Sequence, residues 1–388
     1  MTEAFVTREL VRWARERARL SVEQVATGLG VKPDKVMAWE GGDAHPTLRQ
    51  AEGMAQRLHV PFGYLFLSSP PKETIPLPDL RTIANRPLTD PSPELIEVTQ
   101  DALRKQDWYR QYRVAEGAEP LRFVGRYSVD GGADQIAENM RRTLAVNDNL
   151  RHTAQSWEEF LTLLARNAEG AGVLVLRSGV VGNNTHRPLN VEEFRGFALS
   201  DSVAPIVFIN AQDGKAAQIF TLAHELAHIW IGQSGVSNPD YRVRAGQQAS
   251  PIDRFCDQVA AELLVPIQDF MHRWSGQEDI DSNLRRLARR YRVSDLVILR
   301  RAFEAGILDE REYKQHFDPL AVKKGGGEGG SHYRNILVRN SKTFTLSLLA
   351  AATGDRVSYR EAATLLNVSM ASVPTLYDNL IAVGVGSA

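Results

Sequence analysis

The chain has 388 residues, 43% of them hydrophobic and 24% charged, with a formal net charge of -1. That length admits two or three domains with cores of their own, and the near-zero charge excludes a global pull toward nucleic acid or anionic membrane, so such binding needs a local patch. Cys256 is the single cysteine, which excludes an intramolecular disulfide and an all-cysteine zinc cage.

The first residues, MTEAFVTREL, lack a basic segment followed by a long apolar run, and no stretch approaches the roughly 18 to 20 uninterrupted apolar residues of a membrane span. A cytoplasmic protein without a membrane segment is the expectation. From residue 7 to residue 67 short helical patterns follow one another. Leu10, Val11, Ala14 and Ala18 recur at helical spacing, and Ser21 caps a second helix carrying Val22, Val25 and Ala26. Gly28-Leu-Gly-Val31 turns the chain, Pro33 opens a third helix ending near Trp39, and a fourth is expected from Pro46 to Leu58. Two short helices across a tight glycine turn form the helix-turn-helix pattern.

SVEQVATGLGVKPDKVMAWEGG followed by PTLRQAEGMAQRLHVPFGYLF resembles the phage-repressor-like Cro/C1 (Xre) family over about 60 residues. The resemblance implies an all-α, lambda-repressor-like domain over 1–67 that binds double-stranded DNA, with a homodimer as one arrangement. The base-reading positions it implies are Lys32, Asp34, Lys35 and Ala38, with Pro33 between them. Proline and alanine cannot make paired hydrogen bonds to base edges, and Asp34 repels phosphate. Nine basic against eight acidic residues over 1–67 is also a weak balance for phosphate neutralisation. A helical domain for dimerisation or protein docking is the alternative.

Ser68 to Pro78 carries four prolines, with more at Pro87, Pro91 and Pro93, so 68–98 is expected to be an extended, semi-rigid linker. Glu94 to Asn149 has a helical pattern, and Phe160 to Asn167 another. Ala171–Arg177 and Pro205–Asn210 are expected strands, giving a small sheet against helices. The class as a whole is therefore α+β and mostly α. His186, in GNNTHRP, is expected in an exposed loop and not as a ligand.

Directly after the second strand comes FTLAHELAHIW, residues 220–230. Residues four apart share one helix face, so His224 and His228 can reach one tetrahedral zinc ion while Glu225 leans toward the open position as a proton acceptor. Five residues of this kind arise by chance. Here Leu222, Ala223, Leu226, Ala227 and Ile229 make the rest of the helix apolar, so the three polar groups are carried into the interior and need partners. A carboxylate on a later helix is the missing ligand, and Asp253 and Asp257 in DRFCDQVAAELLVP are candidates.

IVFIN, FTLAHELAHIW and CDQVAAELLVP, in that order, resemble the ImmA/IrrE-like zinc metallopeptidases, loosely from about residue 160 to 315. The resemblance implies a zincin-like domain, expected over 99–320, with Zn2+ as cofactor and limited cleavage of a partner protein, typically a transcriptional repressor. By the related pattern E-x-x-x-D, Asp253 falls at the ligand position and Asp257 at that of the residue orienting a ligating imidazole. The shorter aspartate leaves open that Asp257 takes over as ligand. Glu262 is expected to anchor its helix, and Cys256 to be a buried small hydrophobe. The competing function is a non-catalytic autorepressor or antitoxin-like regulator whose metal is structural or absent.

Ser282 to Phe317 is expected as two helices, with Arg285, Arg286, Arg289, Arg290 and Arg292 on a solvated face beside acidic neighbours. The Gly-rich stretch in 321–332 is an expected flexible linker. A small helical region, 333–388, closes the chain, with Ser358 and Glu361 as a capping pair. Its EAATLLNVSMASV faintly resembles a second helix-turn-helix, with partner docking equally open.

Overall fold

The computed structural model describes residues 2–72, 77, 82–83, 86–87, 91–237, 250–321 and 332–382. Two compact units emerge, one of residues 1–76 with 90–97, the other of residues 77–89 with 98–388.

In the first unit α1 (Arg8–Arg17), α2 (Val22–Leu29), α3 (Pro33–Gly41) and α4 (Leu48–Leu58) precede a 3-10 turn at Phe62–Phe66. Local chemistry sets their ends. Ser21 and Thr47 each close a reciprocal capping box with the glutamine three residues on, and Gly30 ends α2 in the left-handed region at φ 65°. Leu10, Val11, Val25, Ala26, Val36, Trp39 and Leu58 converge in the core. Arg15 ties α1 to α3 by a two-pronged ion pair with Glu40, at 2.6 and 2.9 Å.

The second unit opens with α5 (Pro93–Ala115), which starts inside the stretch expected to be linker; from Val98 on it belongs here. The expected helix does not continue to Asn149. Residues 116–132 are irregular, and α6 (Ala133–Thr143) is separate. The break has a packing reason: Gly125, at φ 64°, lies against the backbone of Gly232, and its N–H donates to Ile229 O at 3.1 Å. Next come α7 (Asp148–Thr153), α8 (Trp157–Gly170), strands β1 (Leu174–Ser178), β2 (Gly196–Leu199) and β3 (Ile206–Asn210), α9 (Lys215–Trp230), and β4 (Gly235–Ser237). The sheet order is β1-β3-β2-β4, with β1 parallel to β3 and the other pairs antiparallel. β2 and β4 are too short and mixed to show a strand pattern in sequence. His186 is exposed as expected, but on a short strand, Asn184–Pro188.

α10 (Pro251–Leu264), α11 (Ile267–Arg273), α12 (Ile280–Tyr291), α13 (Asp295–Glu304) and α14 (Glu310–Ala321) follow, one helix more than expected after Ser282. α9 packs on β2, β3, α8 and α10, and its Leu222, Leu226, Ile229 and Trp230 are fully buried. At about 1.5–3 kcal/mol for each large apolar side chain, this surface supplies the free energy that carries the helix's polar groups inside. The arginine run is neutralised locally, Arg286 by Glu278 and Arg290 by Asp148. Glu262 pairs with Arg301 and accepts the N–H of Ile267 at the start of α11.

The C-terminal helices, α15 (His332–Asn340), α16 (Lys342–Thr353), α17 (Tyr359–Leu366) and α18 (Ser372–Ala382), are part of this second unit. α15 packs along the edge strand β1. Phe344 meets Trp108 and Tyr109 of α5 at ring distances of 5.6 and 6.2 Å. Ser358 caps α17 by accepting the Glu361 N–H; the reciprocal half of the expected pair does not form. Residues 322–331, most of the expected glycine linker, lie outside the described residues. No helix among the described residues is long and apolar enough to cross a membrane.

Candidate metal centre

α9 supplies His224, Glu225 and His228, each 0% exposed. α10 supplies the opposing carboxylates. Ser250 caps it by accepting the Asp253 N–H at 3.1 Å, which fixes Asp253 in the first turn and Asp257 one turn on.

His224 Nε2, His228 Nε2 and Asp253 Oδ1 form a triangle with sides of 3.1, 3.6 and 3.3 Å. Four tetrahedral ligands at zinc distances of about 2.0–2.1 Å lie about 3.3 Å apart. Asp257 is outside the triangle, with Oδ1 2.9 Å from Nδ1 of His224. Among the described residues, Asp253 Oδ1, His228 Nδ1 and both oxygens of Glu225 close no well-formed hydrogen bond. Of these, Asp253 Oδ1 is itself a corner of the triangle, and a buried carboxylate oxygen left unpaired between two imidazole nitrogens is what a divalent cation would satisfy.

The electrostatics agree. Burial would lower His224, but the Asp253 and Asp257 carboxylates outweigh it and hold the imidazole up at about 10. Asp253 is pulled down by the two histidines despite its burial. Burial pushes Glu225 up to about 8, with His224 opposing.

Two residues at the site escape sequence reasoning. Ser237, on β4, brings its hydroxyl to 3.4 Å from His228 Nε2. Gly196, its partner across β2 and β4, lies behind Glu225, where a Cβ would sit 2.9 Å from Oε1. A glycine within a strand is the only sequence sign of such close approach; nothing marks the serine. Cys256 is buried, its thiol pushed well up by desolvation, and lies outside the ligand triangle.

In the first unit Lys32, Asp34 and Lys35 are exposed on and before α3, and Ala38 is half-buried. Lys32 is the N-cap residue of α3.

Residues 168–303 match the sequence model of the IrrE N-terminal-like domain, of the M78 peptidases, and residues 8–62 match that of a helix-turn-helix domain. Among curated proteins no relative matches the chain. The chain therefore joins a helix-turn-helix domain, of the kind transcription regulators carry, to an M78-type, peptidase-like domain with a buried His-His-Asp group able to hold a metal.

Proposed function

We propose that the chain is a DNA-binding transcription regulator whose second unit is a zinc-dependent endopeptidase, making a limited cut in a partner regulatory protein such as a repressor. The observation that carries the reading is the triangle of His224, His228 and Asp253 beside an unpartnered, buried Glu225. His224, His228 and Asp253 hold the ion. Asp257 accepts the Nδ1 proton of His224, which fixes the tautomer and turns Nε2 toward the metal. Zinc, when bound, supplies Lewis acidity to water and to the scissile carbonyl. Glu225 accepts the proton of the attacking water and delivers it to the leaving amine, a task suited to a carboxylate whose burial lifts it toward neutrality. The surrounding apolar helix excludes bulk water and strengthens these charges. In the first unit, Lys32 and Lys35 contact phosphate or bases, and Asp34 and Ala38 lie on the same face.

The test pairs metal analysis with cleavage. Purified full-length chain is expected to hold one zinc ion, and to cut one bond in a DNA-binding regulator encoded beside its gene. Glu225→Ala is expected to keep the zinc and lose the cut. A chain that takes up no stoichiometric zinc ends the enzymatic reading.

A further inference from the structure

The C-terminal helices repeat the helix-turn-helix segment of the first unit. At a constant offset of 337 residues, Ser21, Ala26, Thr27, Leu29, Val31 and Val36 recur as Ser358, Ala363, Thr364, Leu366, Val368 and Val373. α2 and α17 are both eight residues long and fall on the same offset. Each begins with a serine whose hydroxyl accepts the N–H three residues on, at 3.2 and 3.1 Å. Each ends in the left-handed region, Gly30 at φ 65° and Asn367 at φ 54°, where asparagine is the commonest substitute for glycine. The turn bonds match, Val31 N to Ala26 O and Val368 N to Ala363 O, both at 3.0 Å. The cores match too: Val25, Ala26, Val36 and Trp39 correspond to Ala362, Ala363, Val373 and Leu376, all buried. The third helix begins two residues later than its counterpart.

What differs is the outward face. The positions of Lys32, Asp34, Lys35 and Ala38 are taken by Ser369, Ala371, Ser372 and Thr375, and α18 has no lysine or arginine at all. A reading helix without cations forgoes the phosphate neutralisation that supplies most DNA affinity. The turn, in contrast, is engaged. Asn367 Nδ2 lies 3.3 Å from both carboxylate oxygens of Asp101 on α5, and Asp101 also pairs with the buried Lys105. Arg339 of α15 donates to Asn183 at 2.7 Å, and Glu169 of α8 accepts the N–H of Thr343 at 3.0 Å.

We propose that residues 341–382 are a second helix-turn-helix that does not read DNA and serves as a docking module in cis, its partner the α5 and α8 surface of the peptidase-like unit. The turn that would stand beside a duplex instead donates to the carboxylate that pairs with the buried Lys105, and the aromatic contact of Phe344 with Trp108 adds the apolar anchor.

The test uses the full chain with residues 325–330 replaced by a site-specific protease sequence. After cleavage, the C-terminal fragment is expected to co-elute with the remainder on gel filtration at micromolar concentration. Asn367→Asp, which sets a carboxylate against Asp101, is expected to raise the released fraction at least tenfold. Asn367→Gly, which keeps the left-handed turn, reports loss of the contact without loss of the fold and is expected to raise it by less. Separation of the fragment from the cleaved wild-type chain overturns docking. Binding of mixed-sequence duplex is the second arm: Ser372→Glu with Thr375→Glu is expected to leave the intact chain's affinity within twofold. A tenfold loss overturns the proposal and makes the segment a DNA reader.

Discussion

The carboxylate of Glu225 rests against the bare Cα of Gly196. A Cβ on Gly196 would lie 2.9 Å from Glu225 Oε1, 2.8 Å from Thr221 Cγ2 and 2.9 Å from the carbonyl oxygen of Phe208. The backbone oxygen cannot yield, so the Glu225 side chain or the β2 register must. Gly196→Ala is expected to lower kcat about 100-fold, the scale for a misplacement of about 1 Å at a reacting group. Zinc content by mass spectrometry is expected to stay at one per chain, because the atoms nearest to a Cβ at Gly196 belong to Thr221, Glu225 and Phe208 and not to the three ligands. Loss of zinc together with activity would mean that the glycine shapes the fold of the site and not the seat of Glu225 alone.

Asp257 is expected to act through His224. Asp257→Ala leaves Nδ1 of a fully buried imidazole without its acceptor at 2.9 Å. Zinc affinity, measured by competition with a chelating dye, is expected to fall 10- to 100-fold. Asp257→Asn keeps an acceptor oxygen and is expected to fall less. Equal losses in both variants would assign the effect to charge and not to orientation.

The Arg15–Glu40 pair belongs to the stability of the first unit. Glu40 is 7% exposed, and its removal leaves a largely buried guanidinium with the Leu20 carbonyl at 3.2 Å and the exposed Glu16 carboxylate at 3.7 Å. Glu40→Ala is expected to destabilise α1 and α3 by about 3 kcal/mol. Hydrogen exchange is the suitable measurement, because a chain of two units has no single unfolding free energy. Unchanged protection of the α3 amides would show that the pair contributes nothing net.

Acid sensitivity is expected at Asp269. Burial by itself would raise its pKa, but the Arg273 guanidinium and the Tyr291 hydroxyl, at 2.9 and 2.7 Å, outweigh it and hold the carboxyl below its usual value. A group lowered in the folded state binds fewer protons there than when unfolded, so its stabilisation is complete above the unfolded value of about 3.9 and is lost as pH falls through the folded one. Asp269→Asn is therefore expected to flatten the decline of stability on acidification below about pH 4, measured by urea unfolding of the second unit. An identical acid profile in the variant would remove Asp269 from the set of groups that drive acid unfolding.

Much of the molecule is legible along the chain because the signals are local. Ser21, Gly30 and Pro33 act on backbone groups within four residues, so the helix-turn-helix reads directly from its caps and turn. His224 and His228 share a helix face by period alone, and the apolar residues between them require burial. The same locality explains the failures. Residues 116–132 have enough apolar and charged residues to look helical, yet Gly125 must approach Gly232 from the far end of α9. β2 exists because β3 offers an edge and β4 because β2 in turn offers one, and four- and three-residue segments carry too little pattern of their own.

By itself, the order of residues determined that one buried helix carries two imidazoles and a carboxylate, and that two acidic residues one turn apart follow on another. Only the packing of α10 against α9 decided that Asp253 completes the triangle while Asp257 stands behind His224, since the two differ by about 40° around the helix and by one turn along it. Tertiary structure likewise decided that Ser237 and Gly196 meet the site and that Asn367 meets Asp101, 266 residues away. Those contacts depend on where long-range packing brings separate elements, which no short-range rule of capping or periodicity encodes.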